Sequence, residues 1–400
     1  MDSKDKIWEY LPLAEAVEIC DSMRKPINNT ERQKRISGKY QDQLFPYYGA
    51  TGKVGFIDDF ITDGEFVLLG EDGAPFLDSF APKAYIITGK TWVNNHAHIL
   101  KSKLNNKFLC YYLNSFNYKG YVSGTTRLKL TQGEMKKIPI PVPSLPEQER
   151  IVAKIEELFS QLDAAVAELK SVKEKLAIYR QAVLKEAFDI ALKFTEKTMA
   201  IEDFLTTERK GMATGPFGTM LKKHEHKQSG VPMLGIENIG KGKFVDGNKI
   251  FVTPEKAKEL KSFALETSDI IISRSGTVGE ICAVPARMQG ALLSTNLMRV
   301  SLNSQKVLSE YFIYMFQSKG VVLDQVKELC KGSTRIFLNQ TILKSIKFPI
   351  PSIPKQKQII DQIESQISIC NNIEQTVNTA LQQATALRQS ILKQAFEGNL

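Results

Sequence analysis

The sequence predicts an α+β fold in which two α/β globular segments alternate with two long helices that pair antiparallel as a coiled coil. An internal pseudo-two-fold repeat relates the halves. Three observations predict it. The stretch IPVPSLPEQERIVAKIEELFS, running on to YRQAVLKEAF over residues 140–188, returns as FPIPSIPKQKQIIDQIESQIS, running on to LRQSILKQAF, over residues 348–396. The offset is 208 at both ends, so the copies align without a gap, and such a repeat marks internal duplication. Within each copy apolar residues recur in steps of four and three, the spacing of a coiled-coil seam. Outside the copies, short apolar runs stand between Gly, Asp and Pro, which is the punctuation of strands and turns.

Each copy has a sharp helix start. Pro141, Pro143 and Pro146 forbid a helix upstream and fit an extended run or a first turn. Ser144 and Glu147 have capping-box spacing; the second copy keeps Ser352 but carries Lys355 in place of the glutamate. The first expected seam runs through Ile151, Ile155, Leu158, Leu162, Ala165, Leu169, Val172, Leu176, Tyr179 and Val183. The second runs through Ile359, Ile363, Gln366, Cys370, Ile373, Val377, Ala380, Ala384, Leu387 and Ile391, and its Gln and Ala residues make it the weaker one. Two amphipathic helices packed on unrelated domains would give the same periodicity. Equal seam lengths in one chain favour pairing with each other.

The domain division follows: residues 1–139 and 197–347 are globular, and 140–196 and 348–400 are helical linkers. In the first globule residues 11–20 look helical, 35–87 read as strands and turns, and 107–117 form a short helix. Four hundred residues leave ample chain for real cores. Five cysteines, an odd number with no CxxC pair, point to a reducing compartment. The N-terminus lacks signal-peptide order, and no apolar run approaches membrane-spanning length. The expected location is cytoplasmic, with no membrane contact.

Charge separates the two kinds of segment. The net charge is +9, while residues 147–188 sum to −1 and residues 355–400 to 0, so the remainder carries +10. Basic globules with neutral helices suit a polyanion such as nucleic acid. A lysine-rich solvated surface would give the same balance.

Several catalytic readings fail on context. GATGKVG near Tyr48 resembles a dinucleotide-binding turn, but LFPYY precedes it and a turn-rich, strand-like run follows. Its glycines fit a tight turn or a close approach to a phosphate chain. His96 and His98, like His224 and His226, have H-x-H spacing without companion ligands, so surface or hydrogen-bonded roles are expected. Asp58, Asp59, Asp63 and Glu65 lack a catalytic lysine at nuclease spacing. Neither an N/D-P-P-Y/F methyltransferase motif nor a GxxxxGK[ST] loop occurs, so no cofactor and no ATP motor are expected.

The second globule echoes the first loosely. Ser-Gly-Thr-Thr-Arg at 123–127 matches Lys-Gly-Ser-Thr-Arg at 331–335, again at offset 208, and Gly-Lys-Val-Gly at 52–55 resembles Gly-Thr-Val-Gly at 276–279. Helices kept while globules drift implies that the globules recognise different things. Residues suited to phosphates and base edges in glycine-bounded loops are Tyr48, Lys53, Thr126, Arg127 and Lys129 in the first globule. In the second they are Arg274, Ser275, Lys331, Thr334 and Arg335.

The run IPIPVPSLPEQERI at 138–151, its echo FPIPSIPKQKQI, the RQAVLKEAF and RQSILKQAF helix ends, the GTTR and GSTR loops and IISRSGTVG together resemble the specificity subunit of type I restriction-modification systems. The resemblance covers essentially the whole chain. The proline-to-helix signature occurring twice is its specific part, and Lys355 departs from the acidic residue usual there. It implies two target-recognition domains joined by two conserved antiparallel helices. It also implies binding of double-stranded DNA at a bipartite asymmetric target, docking of two methyltransferase (modification) subunits and restriction (translocase and nuclease) subunits, and no catalysis by the chain itself. The competing classes are a coiled-coil scaffold whose basic globules bind acidic proteins, and an enzyme with a hidden nuclease or methylase site.

Overall fold

A computed structural model of the chain describes residues 8–193, 195, 198–240, 242–276, 278–329 and 337–400. Two long helices, Leu145–Lys193 and Ile353–Phe396, carry the repeat. Just before each, the proline run lies extended and pairs as a short strand. Pro139–Pro141 runs antiparallel to Tyr10–Pro12, and Phe348–Pro349 runs antiparallel to Thr198–Met199.

A buried glutamine then fixes each helix to its globule. Gln148 donates from Nε2 to the Pro143 carbonyl (2.8 Å) and accepts the Asn105 N–H at Oε1 (2.8 Å). Gln356, at the same place in the second copy, donates to the carbonyls of Pro351 and Lys306 (both 2.8 Å) and accepts the Leu308 N–H (2.9 Å). Glu147 meanwhile faces Arg150 with both carboxylate oxygens, each at 2.8 Å. The helix ends are anchored by aromatics. Phe188 packs on Tyr311 with ring centroids 5.3 Å apart, and Phe396 packs on Phe108 and Tyr112 at 5.3 and 5.2 Å.

The chain divides into two compact units, Met1–Ser171 with Val377–Leu400, and Val172–Thr376. Each holds one globule with an antiparallel pair of helix segments. In the first unit Arg150 reaches the Leu400 carbonyl (2.9 Å), while Arg388, further back on its helix, pairs with Asp163 and covers the Phe159 ring at 4.2 Å. In the second unit the Tyr179 hydroxyl donates to Gln366 (3.0 Å), and Arg180 binds Glu374 (2.7 Å) and Asn371 (2.8 Å).

Of the expected seam, Ile151, Ile155, Leu176, Val183, Ile359, Ile363, Cys370, Val377 and Ile391 are buried, and Leu158, Leu162, Leu169, Val172, Gln366, Ala380 and Ala384 are half-buried. Ile373 and Leu387 are 40% and 50% exposed, which corrects their assignment. The buried row through Cys370 and Val377 steps by four to Glu374 and, from Ala384, by four to Arg388. Ion pairs occupy the places where hydrophobicity alone selected the neighbouring apolar residue. Tyr179 is exposed for the same reason, beside the half-buried Arg180, and Ala165 is exposed beside the half-buried Val166.

The two globules share one topology. In the first, a four-stranded sheet has the order Val17–Ile19, Ala97–Ser102, Glu65–Gly70, Ala84–Thr88. A three-stranded sheet has the order Gly52–Ile57, Phe45–Gly49, Trp92–Val93, with its last pair parallel. In the second, Met212–Thr214, Leu297–Val300, Ile270–Ser273 and Ile281–Ala283 repeat the first order. Ile250–Val252, Val231–Leu234 and Leu292–Leu293 repeat the other, again with the last pair parallel.

This equivalence corrects two expectations. Residues 11–20 do not form one helix. A strand, a four-residue helix (Leu13–Ala16) and a second strand share the stretch, because Leu13 and Ala16 are buried while Val17 pairs with Ser102. Gly52 and Gly55 belong to the hairpin of the three-stranded sheet, whereas Gly276 and Gly279 follow a strand of the four-stranded sheet. The two glycine pairs are therefore not equivalent. Residues 107–117 are helical over Asn106–Ser115, capped by the Asn105 side chain. Residues 35–87 hold four strands, preceded by a helix at Asn29–Ile36 that the strand-and-turn reading cut into.

Gln356→Ala leaves the part-buried Leu308 N–H and the buried Pro351 carbonyl without their partner and removes the donor to Lys306. The expected cost is about 1–3 kcal/mol, that of leaving a buried polar group unpaired. Urea unfolding should show the loss, and hydrogen exchange should show faster opening at Leu308. Unchanged exchange there would remove the glutamine from the anchor.

Candidate nucleic-acid interface

In the first unit three chain segments meet at one end of the sheets. The first is the hairpin turn between Gly49 and Gly52, flanked by Tyr48 and Lys53. The Tyr48 ring lies on Tyr85 with centroids 5.8 Å apart, and the exposed Lys53 places Nζ 3.7 Å above the Phe56 ring. The Tyr85 hydroxyl donates to the Gly49 carbonyl. Gly70 allows the second segment, residues 71–73, to leave beside this turn. A Cβ there would sit 2.9 Å from the Ala50 oxygen and 2.4 Å from the Ala74 methyl.

The third segment is the loop 123–129. Ser123 and Lys129 close it with two backbone hydrogen bonds (3.0 and 2.8 Å), and Gly124 takes φ +98°. Thr126, Arg127 and Lys129 are exposed on it. Arg127 Nε meets Asp72 at 2.7 Å, Lys129 Nζ meets Glu71 at 3.5 Å, and the Gly73 N–H donates to the Leu128 carbonyl (2.9 Å). The structure thus brings all five first-globule candidates to one region.

Beneath them lies a network of charged groups that motif reading missed. His98 is fully buried, with Nδ1 2.7 Å from Asp21 and Nε2 3.1 Å from the Leu130 carbonyl. A carbonyl only accepts, so Nε2 carries a proton. Arg24 joins Asp21 (3.1 Å) to Glu71. Burial pushes the Asp21 carboxyl up, but hydrogen bonds from His98, the Ile99 N–H and Gln132, with the His98 charge, outweigh it and hold the carboxyl below its ordinary range. His96 lies 3.6 Å from Asp72; His224 is exposed and His226 half-buried. Among the described residues no cluster of His, Cys, Asp or Glu is placed to hold a metal.

The second unit builds its site differently on the same frame. Arg274, half-buried, donates to the carbonyls of Leu338 (3.2 Å) and Thr295 (3.3 Å) and lies 4.4 Å over the Phe337 ring. Burial draws its pKa down. The Ser275 hydroxyl bonds Asn296 (3.1 Å). Lys331, Thr334 and Arg335 lie outside the described residues.

The backbone shows that Glu71 and Arg274 are equivalent. Glu71 donates to the His96 carbonyl (2.8 Å) and accepts from Leu130 (2.8 Å); Arg274 donates to the Asn296 carbonyl and accepts from Leu338, both at 2.9 Å. Leu130 and Leu338 are themselves 208 residues apart. One frame therefore holds an acid at the centre of one site and a guanidinium at the centre of the other.

A family model for the type I restriction modification DNA specificity domain matches residues 6–174 and 202–383. The chain belongs to this family. It is 27% identical over 386 residues to a putative type I restriction enzyme specificity subunit of Haemophilus influenzae, covering 94% of this chain and 92% of that protein. It is 24% identical over 393 residues to the type I restriction enzyme EcoDI specificity subunit of Escherichia coli, covering 90% and 83%. A solved chain from a study of complex assembly and conformational transition in a type I restriction-modification system aligns with a TM-score of 0.70 at 15% identity over all of both chains. The HsdS subunit from Thermoanaerobacter tengcongensis aligns with a TM-score of 0.53 at 14% identity, covering 99% and 98%. The duplicated α+β architecture is that of the family. No helix among the described residues is long and apolar enough to cross a membrane.

The Asp21 carboxylate sits below its unfolded pKa, so its contribution is present above about pH 4 and is lost as pH falls through the lower folded value. Asp21→Asn should lower the thermal unfolding midpoint at neutral pH. The gap from wild type should narrow as pH drops below about 4. Midpoints measured from neutral to acid pH test this; a gap that is constant with pH would show that the carboxylate charge does not hold the network.

Proposed function

We propose that the chain is the DNA sequence-specificity subunit of a type I restriction-modification complex. Residues 1–139 and 197–347 act as two target-recognition domains, each reading one half of a bipartite, asymmetric duplex target. Residues 140–196 and 348–400 dock two methyltransferase subunits and the restriction subunits. The chain contributes recognition, and its partners carry out methylation, translocation and cleavage. The observation that carries this reading is the exchange of Glu71 for Arg274 on one duplicated frame. Two readers with opposite central charges require two unlike half-sites.

The residue chemistry fits such reading. Arg127 and Lys129 are exposed and held only by surface ion pairs, which are worth about 0–1 kcal/mol each. A phosphate or a guanine edge can replace Asp72 or Glu71 at little cost. Lys53, Thr126 and Tyr48 add a cation and hydroxyls at the same end of the sheets. Arg274 is already oriented by two carbonyls and the Phe337 face, so its remaining N–H groups are preorganised for a base edge. Ser275 stands beside it, and Lys331, Thr334 and Arg335 complete the proposed set for this domain.

Replacing residues 197–347 with the matching segment of another family member should change one half of the methylated motif and leave the other intact. Sequencing of methylated sites in a host carrying the hybrid reads the result directly. A change in both halves would sink the assignment of one reader per half-site. Arg274→Ala should weaken specific binding by about 1–3 kcal/mol and relax one position. A duplex affinity without steep salt dependence would point instead to acidic protein partners.

A further inference from the structure

Each globule exposes a pair of large apolar residues three apart, on a rigid loop that starts beside the candidate contact residues. In the first, Leu77 and Phe80 are 59% and 57% exposed. Their loop departs from Gly73, which is bonded to Leu128 and would place a Cβ 3.1 Å from Arg127 Nε. Pro75 and Pro82 bracket it, Phe76 plugs it into the core against Tyr118 at 5.1 Å, and the Asp78 carboxylate accepts the Phe80 N–H (2.9 Å). In the second globule the pair is Phe217 and Met220, 64% and 42% exposed, on a different loop. That loop is fastened to the Arg274 site. Thr295, whose carbonyl binds Arg274, donates its hydroxyl to Pro216 (2.6 Å), and at Gly215 a Cβ would collide with the Ser294 carbonyl at 1.9 Å. Gly218, at φ +64°, turns the tip, and exposed Lys222 and Lys223 follow.

Rigid, exposed apolar tips beside exposed cations, present in both halves but built from different loops, have the make-up of wedges for a stacked polyanion. The cations hold phosphates while the apolar side chains enter between base pairs.

We infer that Leu77 with Phe80, and Phe217 with Met220, insert at a base-pair step beside each half-site and partly unstack it. The inference rests on the DNA-reading function proposed above and adds a recognition element that makes no base hydrogen bond. Because pyrimidine–purine steps unstack most readily, each domain should prefer TA or CA/TG at that step.

The test uses the full chain assembled with its modification subunits, on a duplex bearing the motif methylated in the source strain. 2-Aminopurine replaces one base at a time through the motif and its flanks. Wild type should raise fluorescence about threefold or more at one step near each half-site. The double variant Leu77→Ala/Phe80→Ala should abolish the rise near the first half-site only, and Phe217→Ala/Met220→Ala near the second only. The salt dependence of binding should stay unchanged in both variants, since phosphate contacts remain. Binding of wild type without any rise away from the methylated base, which the modification subunits extrude, or a rise at such a step that survives both variants, overturns the wedge. Variants that lose the modification subunits but keep the rise also overturn it and assign the tips to a protein interface. A wild-type complex that binds no duplex in a salt-dependent way overturns the proposed function itself.

Discussion

Everything in this chain depends on how a proline-extended segment becomes a helix without losing hold of its globule. Prolines have no N–H to give a sheet, so the strands at Pro139–Pro141 and Phe348–Pro349 are short, and their carbonyls need donors from elsewhere. Tyr112 supplies one to Pro139 (2.5 Å) and Tyr311 one to Pro349 (2.8 Å). Gln148 and Gln356 supply the next, to Pro143 and Pro351, and tie the first helical turn to Asn105 and Leu308. The bonds to Pro143, Pro349 and Pro351 are buried and the others part-buried, so they are costly to break, and together they set the direction in which the helix leaves. The aromatic that receives the returning helix end, Tyr112 or Tyr311, is the same residue that satisfies the proline carbonyl. Start and end of different helices are thereby locked at one place in each unit.

A frame so determined leaves the site loops of each globule free to change. The backbone bonds around Glu71 are reproduced around Arg274 almost without change in length, although the side-chain charge is reversed. Each charge is stabilised locally by different means. Glu71 has Arg24 and Lys129, with Asp21 and His98 behind them, whereas Arg274 has two carbonyls and an aromatic face. Where Asp21 stands after one edge strand, Pro216 stands after the other. Divergence here required replacing a whole set of partners, because a partly buried charge cannot be swapped alone.

This explains what was legible in the sequence. The repeat, the helix starts and the two-globule division were open to inspection because they rest on proline, periodicity and offset, which are local. The phase of the second seam was not. Glu374 and Arg388 hold seam positions through ion pairs with Arg180 and Asp163, and a count of apolar residues passes over them to Ile373 and Leu387. The site network was equally hidden, since Asp21, Glu71 and His98 are far apart in sequence and carry no spacing signal. The glycine pairs at 52–55 and 276–279 misled because tight turns of similar composition recur on non-equivalent strands.

The surviving landmark in the globules is Leu130 with Leu338, and its persistence has a physical cause. Each leucine is fully buried and each N–H satisfies the carbonyl at the charge-reversed position; Leu130 also ends the loop that carries Thr126 and Arg127. In the first globule its carbonyl also receives His98. A residue that must fill the core and close a backbone bond at once cannot drift, whereas Thr126 and Arg127, exposed a few positions before Leu130, are bound by neither demand. The loop before it can therefore exchange side chains while its end remains fixed, which is the division of labour a reader of variable sequence needs.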